Sequence, residues 1–109
     1  MKLKVGNFYK TDNGSYVFLV KEGTLYEPFG YEYYQKNKDN PDIYVRKIHV
    51  FKGFILNIEK IEDTIINYVW DDEGFELMDI TWSPRIENQK YKIVEEIPFE
   101  EVYNKLYKN

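Results

Sequence analysis

The stretch that decides the fold is NFYKTDNGSYVFLVK at residues 7–21. Residues 7–11 and 15–21 are rich in aromatic and β-branched side chains, which favour β-strands. Between them lies Asp12-Asn13-Gly14, and an Asn-Gly pair readily adopts the positive φ values of a type I′ turn. The stretch therefore predicts a β-hairpin near the start of the chain.

Strand-like segments recur further along the chain. Gly53 is predicted to mark a bend or bulge. A short helix at residues 58–66 is possible from the isoleucine spacing, but the β-branched run that follows favours strands. An acidic turn is predicted at 71–74. The remaining predicted strands are residues 43–50, 65–70, 75–82 and 91–97.

The C-terminal segment has the pattern of a helix over about residues 98–108. Pro98 suits the first turn, where its missing N–H costs little. Glu100 and Glu101 favour the positive end of the helix dipole, and Lys105 favours the negative end. Five apolar residues have helical spacing and predict one buried face: Phe99, Val102, Tyr103, Leu106 and Tyr107.

These elements predict a single domain, residues 1–109, of a mostly β (α+β) class. The expected architecture is a small curved antiparallel sheet, or an SH3-like barrel, with a C-terminal helix. In spacing, the short opening hairpin and the long second connection resemble SH3-like barrels. The 43% hydrophobic and 31% charged residues are typical of a globular protein. No apolar run is long enough to span a membrane, and no signal peptide is recognised at the N-terminus.

The amino-acid composition indicates the cellular compartment of the protein and the kind of genome that encodes it. The chain has no cysteine, which excludes disulfides and thiolate chemistry and fits a reducing, cytoplasmic setting. It also has no alanine, and lysine outnumbers arginine thirteen to two. This bias indicates an A/T-rich genome, such as that of a low-GC bacterium or one of its phages or mobile elements.

Charge is divided unevenly along the chain. Residues 1–54 carry nine Lys/Arg and six Asp/Glu, whereas residues 55–109 carry six and thirteen. The net charges of the two halves are therefore +3 and −7. The acidic half argues against general binding to nucleic-acid phosphates and permits a protein partner with a basic surface. A solvated acidic face is the simpler interpretation.

Residues with catalytic or metal-binding chemistry are few. His49 is the only histidine, and an ordinary strand histidine is favoured over a general base. The acids around Asp71, Asp72 and Glu73 could bind a hard cation, but the calcium-loop pattern is not met. A charged hairpin tip is the commoner explanation. We therefore expect no cofactor, no metal and no enzymatic activity.

A segment rich in tyrosine carries the main functional prediction. Five of the eleven tyrosines fall between Tyr26 and Tyr44. Residues 24–42 are predicted to be a long connection after a strand ending at Glu22-Gly23, with an irregular strand around residues 31–35. Long connections are often functional. We expect at least two of four tyrosines to be exposed, and the predicted partner-binding residues are Tyr26, Tyr31, Tyr33, Tyr34, Asp71, Asp72 and Glu73.

Three functions remain open at this stage. The first is a non-catalytic protein-binding module, such as a phage or mobile-element accessory or inhibitor protein acting on a host protein. The second is a small β-barrel that binds nucleic acid or a nucleotide with Tyr9, Tyr16 and Phe18 of the opening hairpin. The third is a small enzyme with a site around His49. The sequence leaves the oligomeric state open.

Overall fold

The computed structural model describes residues 1–78 and 84–107. It contains a five-stranded, curved antiparallel sheet in the order β4-β3-β2-β1-β5 and a C-terminal helix, which confirms the predicted fold class. The strands are β1 (Phe8–Thr11), β2 (Tyr16–Glu27), β3 (Arg46–Leu56), β4 (Ile65–Asp71) and β5 (Ile93–Ile97). The helices are α1 (Tyr31–Asn37), a 3₁₀ turn (Ile61–Asp63) and α2 (Phe99–Tyr107).

The opening hairpin forms as predicted, but its turn differs from type I′. The Gly14 N–H donates to the Thr11 carbonyl at 2.9 Å, and the Thr11 N–H donates to the Ser15 carbonyl at 2.9 Å. Gly14 has φ +84°, whereas Asn13 has no positive φ. This is a type I turn followed by a left-handed glycine. The Asn13 side chain accepts from the Ser15 N–H at 3.3 Å, which holds the turn in that form.

The second strand is longer than predicted, and it forms a hairpin with β3. Strand β2 continues through Gly23 to Glu27, because β3 pairs with it along the whole length, ending at the pair Glu27–Arg46. Local glycine signals were overridden by this long-range ladder. Gly53 lies where the two strands approach closely, since a Cβ there would sit 2.1 Å from the Phe18 carbonyl oxygen. The register between β3 and β4 shifts between Gly53 and Ile55, as expected of a bulge.

Hydrophobic clusters cover both faces of the sheet. One cluster is formed by Leu3, Tyr9, Val17, Leu19, Phe51, Ile55, Trp70 and Ile93. Inside it, the Trp70 indole N–H donates to the Tyr91 carbonyl at 2.8 Å. The other cluster joins Tyr16 and Ile97 of the sheet to Val102 of α2. Helix α2 is thus docked on the sheet by one buried residue.

Two predicted segments take a different form. The 3₁₀ turn occupies the middle of residues 58–66, and the strand begins only at Ile65. The partner strand predicted at 75–82 is replaced, in its described part, by isolated bridges between Trp70 and Glu76 and between Leu77 and Arg85. The predicted strand residues 79–82 lie outside the described residues.

The molecule is elongated, with extents of 57 × 24 × 20 Å. The pairing of β3 with β4 ends at Val50–Asp71, whereas β2 and β3 continue for four more pairs. Residues 24–49, here called the arm, therefore project beyond the rest of the sheet as a two-stranded ribbon. Helix α1 lies in the connection at the far end of this ribbon.

Helix α1 corrects the prediction of an irregular strand around residues 31–35. The segment YEYYQKN contains no β-branched residue, and its Glu, Gln and Lys are good helix formers. The Tyr34 N–H donates to the Gly30 carbonyl at 3.0 Å and closes the first turn. The Asn37 side chain donates to the Tyr33 carbonyl at 2.9 Å near the last turn.

Candidate functional site

The predicted tyrosines gather at the end of the arm. The ring of Tyr26, at the end of β2, lies 4.9 Å from that of Tyr31 and 5.0 Å from that of Tyr34, measured between centroids. Phe29 and Tyr33 form a second pair at 5.0 Å. Such edge-to-face and tilted contacts stabilise aromatic clusters. We call these five rings, together with Tyr44, the aromatic tip.

The aromatic tip is open to solvent on one side. Tyr31 is 55% exposed, and Phe29 and Tyr44 are also exposed. Tyr26, Tyr33 and Tyr34 are half-buried: Tyr26 and Tyr34 pack on each other, and Tyr33 packs on Phe29. Tyr31 is therefore the one exposed residue among the four predicted tyrosines, whereas at least two were expected. No residue of α1 is buried, so the helix rests on the arm without forming a core.

An ion pair fixes the strands where the aromatic tip begins. Glu27 is buried, and both of its carboxylate oxygens accept from the Arg46 guanidinium, one of them at 3.1 Å from Nη2. This bidentate geometry is the strongest form of the Arg–carboxylate pair. The hydrogen bond to Glu27 raises the pKa of Arg46, so the guanidinium stays charged.

Carboxylates in the acidic turn after β4 accept hydrogen bonds from other groups of the chain. Asp71 is buried, and its carboxylate accepts from the Glu73 and Phe75 N–H groups and from Arg85 Nε at 2.8 Å. Glu73 also accepts from Arg85 Nη2, at 3.2 Å. Asp71 therefore holds the turn, and we do not retain it among the proposed contact residues. Asp72 and Glu73 are exposed.

His49 connects the base of the arm to the acidic turn. Its Nδ1 lies 2.5 Å from Asp72 Oδ1, and its Nε2 lies 3.1 Å from Glu22 Oε1 on the neighbouring strand. The hydrogen bond to Asp72 is the main cause that raises the pKa of His49, and the charges of both carboxylates add to it, while slight burial opposes it. Both ring nitrogens are engaged, so His49 links β2 to the turn after β4.

The predicted tyrosines and acids lie at different places. The acidic turn meets the arm at His49, near its base, whereas the tyrosines lie at its far end. Within residues 1–78 and 84–107, no three histidine, aspartate or glutamate side chains are arranged to hold a metal ion. Tyr9 and Tyr16 of the opening hairpin are buried, so two of the three rings proposed for base stacking are core residues.

The sequence did not reveal a second aromatic surface. Six rings follow one another across β3, β2, β1 and α2, with centroid distances of 6.5, 4.7, 5.7, 6.0 and 4.9 Å. We call this set the aromatic row: Phe54, Phe18, Phe8, Phe99, Tyr103 and Tyr107. The predicted buried face of α2 is wrong for most of its members, because Val102 alone of the five is buried. Helical spacing identified the stripe but not whether anything covers it.

Comparison with family models, with curated proteins and with solved structures returned no match. No helix in the described part of the chain has the length and apolar character needed to cross a membrane. The geometry of the arm therefore carries the functional assignment.

Proposed function

We propose that this chain is a non-catalytic protein-binding module that contacts its partner with the aromatic tip. The observation that carries the proposal is a solvent-open cluster of aromatic rings at the end of a projecting arm. Aromatic side chains offer large contact areas and have few rotatable bonds to immobilise, so they often contribute much of the binding energy at protein interfaces.

The length of the connection in the arm and its ordered helix support a role beyond joining two strands. A two-residue turn suffices to join antiparallel strands, yet eighteen residues, 28–45, separate β2 from β3. A seven-residue helix such as α1 has little stability by itself. The contact of its Tyr31 ring with Tyr26, together with the Glu27–Arg46 ion pair, keeps the helix in place. A chain that orders such a segment without burying it presents a surface to a partner.

The charges of the arm indicate what kind of contact the tip makes. Residues 24–49 carry four basic side chains, Lys36, Lys38, Arg46 and Lys47, and four acidic ones, Glu27, Glu32, Asp39 and Asp42. With His49 neutral, the arm is therefore neutral, and the contact at its end is aromatic and apolar rather than charge-driven. Asp72 and Glu73 remain the proposed contacts for a basic patch, at the base of the arm.

The composition supports a narrower version of this proposal. The absence of alanine and the excess of lysine favour a low-GC source, which fits an accessory or inhibitor protein of a phage or mobile element that acts on a host protein in the cytoplasm. The nucleic-acid alternative has lost its support, because two of its three proposed stacking rings are buried.

The test is co-purification of the full chain from a low-GC bacterial lysate, with bound proteins identified by mass spectrometry. The tip variant is Tyr31→Ala combined with Tyr33→Ala. The matched control is Ile66→Ala, which removes an exposed apolar side chain from β4. We expect a specific protein that is retained by the wild type and by the control and lost with the tip variant. Equal retention by both variants, or no specific protein at all, contradicts the proposal.

A further inference from the structure

Two lysines face each other across the hairpin of β2 and β3. Lys21 lies directly opposite Lys52 in the ladder, and residues paired in this way carry their side chains on the same face of the sheet. The Lys52 side chain extends over Gly23, since a Cβ on that glycine would lie 3.3 Å from Lys52 Cε and 3.8 Å from Nζ. Like charges directly opposite each other destabilise a sheet. The lysine pair therefore costs stability in the free chain, and an anion that contacts both ammonium groups removes that cost.

No carboxylate of the described chain neutralises the lysine pair. Neither lysine has an ion-pair partner within the part of the chain that the structure describes. Glu22 follows Lys21 directly, so its side chain lies on the opposite face, where it contacts His49 at 3.1 Å. Asp71, at the end of β4, accepts from Arg85. In a chain of net charge −4, the lysine pair is thus a local positive site that is complementary to an acidic group.

A cavity of about 230 Å³ adjoins Lys52. Its walls include the apolar side chains of Leu25, Val50 and Val69, together with Tyr31 of the aromatic tip. The cavity is smaller than the roughly 300–1,000 Å³ of typical small-molecule sites, so it fits one side chain of a partner rather than a whole ligand. Apolar walls beside an ammonium group suit an apolar side chain that has an acidic neighbour.

The strand beside the cavity has a free outer edge. Strand β1 pairs with β2 only between Tyr16 and Phe18, and the last hydrogen bonds on that side involve Leu19. Residues 21–25 therefore pair with β3 on one side and, among the described residues, with no strand on the other. Alternate residues of a strand direct their N–H and C=O groups to alternate sides. The outer edge thus presents backbone groups whose natural complement is another extended chain.

We propose that residues 21–25 receive an extended segment of the partner protein as an additional strand, with an acidic side chain on Lys21 and Lys52 and an apolar side chain in the cavity. The proposal rests on the proposed function, because the protein that contacts the aromatic tip supplies the segment. In an added strand, the residue opposite Gly23 lies on the face of the lysine pair, and the residue opposite Leu25 lies on the same face beside the cavity. The acidic and apolar residues are therefore two positions apart in the segment.

The first test uses a threonine pentapeptide with blocked termini, glutamate at its second position and leucine at its fourth. The peptide is titrated into the isotope-labelled full chain at low salt and followed by NMR. Short flexible peptides bind weakly, so we expect saturable amide shifts at residues 21–25 and at Lys52, with a dissociation constant in the millimolar range. Exchange of the glutamate for glutamine should weaken binding by about two- to thirtyfold, because two exposed ion pairs are lost. Moving the leucine next to the glutamate should also weaken binding, because adjacent side chains of a strand face opposite sides.

Two results overturn the proposal. The first is the absence of a saturable shift at residues 21–25 at about 10 mM peptide. The second is equal affinity for the glutamate and glutamine peptides. Equal affinity for the two leucine positions contradicts the arrangement as an added strand.

The matched variants each exchange two lysines for glutamine. Lys21→Gln combined with Lys52→Gln should abolish the preference for the glutamate peptide, whereas Lys2→Gln combined with Lys4→Gln, at exposed positions near the N-terminus, should retain it. Because the lysine pair is repulsive, the first variant should unfold in urea at the same concentration as the wild type or higher, which establishes that it is folded. A preference that survives in that variant contradicts the assignment of the two lysines.

These results are distinguishable from those of the lysate test. A protein captured through the aromatic tip, together with no peptide binding at residues 21–25, removes this inference and leaves the proposed function intact. Peptide binding at residues 21–25 without any captured protein upholds the site on β2 and contradicts the role of the tip.

Discussion

The contact of His49 with two carboxylates predicts a pH-dependent attachment of the arm to the sheet. Its partners come from two elements, Glu22 on β2 and Asp72 in the turn after β4. Other charged groups line the same groove: Arg46, Lys47, Asp71, Glu73 and Arg85. The two arginines among them are paired with Glu27 and with Asp71 and Glu73. The charge of His49 therefore depends chiefly on Glu22 and Asp72.

The sign of the effect follows from the raised pKa of His49. The folded protein holds the proton more tightly than the unfolded chain, whose histidine pKa is about 6.5. The stabilisation is therefore complete below about pH 6.5 and is lost as the pH rises through the higher folded-state pKa. The His49 side chain is 46% exposed, so solvent screens both contacts. Exposed pairs contribute about 0.2–1 kcal/mol each, which gives about 0.4–2 kcal/mol for the two.

The assay compares the wild type with His49→Gln in urea unfolding at about pH 5.5 and about pH 9. We expect the wild type to be more stable than the variant by about 0.4–2 kcal/mol at the lower pH and by almost nothing at the higher pH. Because the chain has one histidine, an NMR titration reads its pKa directly, and Asp72→Asn should lower that pKa. Glu59→Gln, an exposed carboxylate elsewhere, is the control. A pKa at or below 6.5, or one that Asp72→Asn leaves unchanged, refutes the reasoning.

Two further predictions concern the sheet. Gly53→Ala should destabilise the protein by about 1–3 kcal/mol, because its Cβ would lie 2.1 Å from the Phe18 carbonyl oxygen. Gly23→Ala on the same hairpin should cost less, because its Cβ would meet the flexible Lys52 side chain at 3.3 Å and Val50 Cγ2 at an ordinary contact distance of 3.6 Å. Equal midpoints of urea unfolding for the two variants contradict this explanation. Tyr68→Phe should cost about 1–3 kcal/mol in thermal or urea unfolding, because the Tyr68 hydroxyl donates to the buried carboxylate of Glu76. A Tyr68→Phe variant as stable as the wild type shows that the carboxylate finds another donor.

The sequence predicted the features that depend on neighbouring residues. The opening hairpin, the turn at 71–74 and the position of α2 all follow from turn residues, helix-end residues and local spacing. The length of β2 could not be predicted in this way, because its continuation past Gly23 depends on pairing with residues that lie 19 or more positions away in the chain. Helix α1 was not predicted because tyrosine is frequent in strands, although this segment lacks β-branched residues.

Exposure was the part of the site that sequence reasoning predicted least well. The sequence around Asp71 is typical of the solvated tip of a charged hairpin. In the structure, however, Arg85, fourteen residues further on, pairs with Asp71 and helps to bury it. The apolar stripe of α2 resembles a core face, but the sheet accommodates only Val102. In both cases local pattern identifies a group of residues, and only the tertiary arrangement determines whether that group meets solvent.

The division between arm and sheet has a consequence for stability and binding. Among the described residues, both hydrophobic clusters draw their members from outside residues 24–49. The order of the arm therefore depends on its backbone ladder, the Glu27–Arg46 pair, the His49 contacts and the packing of its own rings. Such segments open at a lower free energy than the core does. Under the proposed function, contacts that hold the arm in one conformation reduce the entropy that a partner must remove on binding, so Glu27, Arg46 and His49 are expected to affect affinity even though they lie away from the tip.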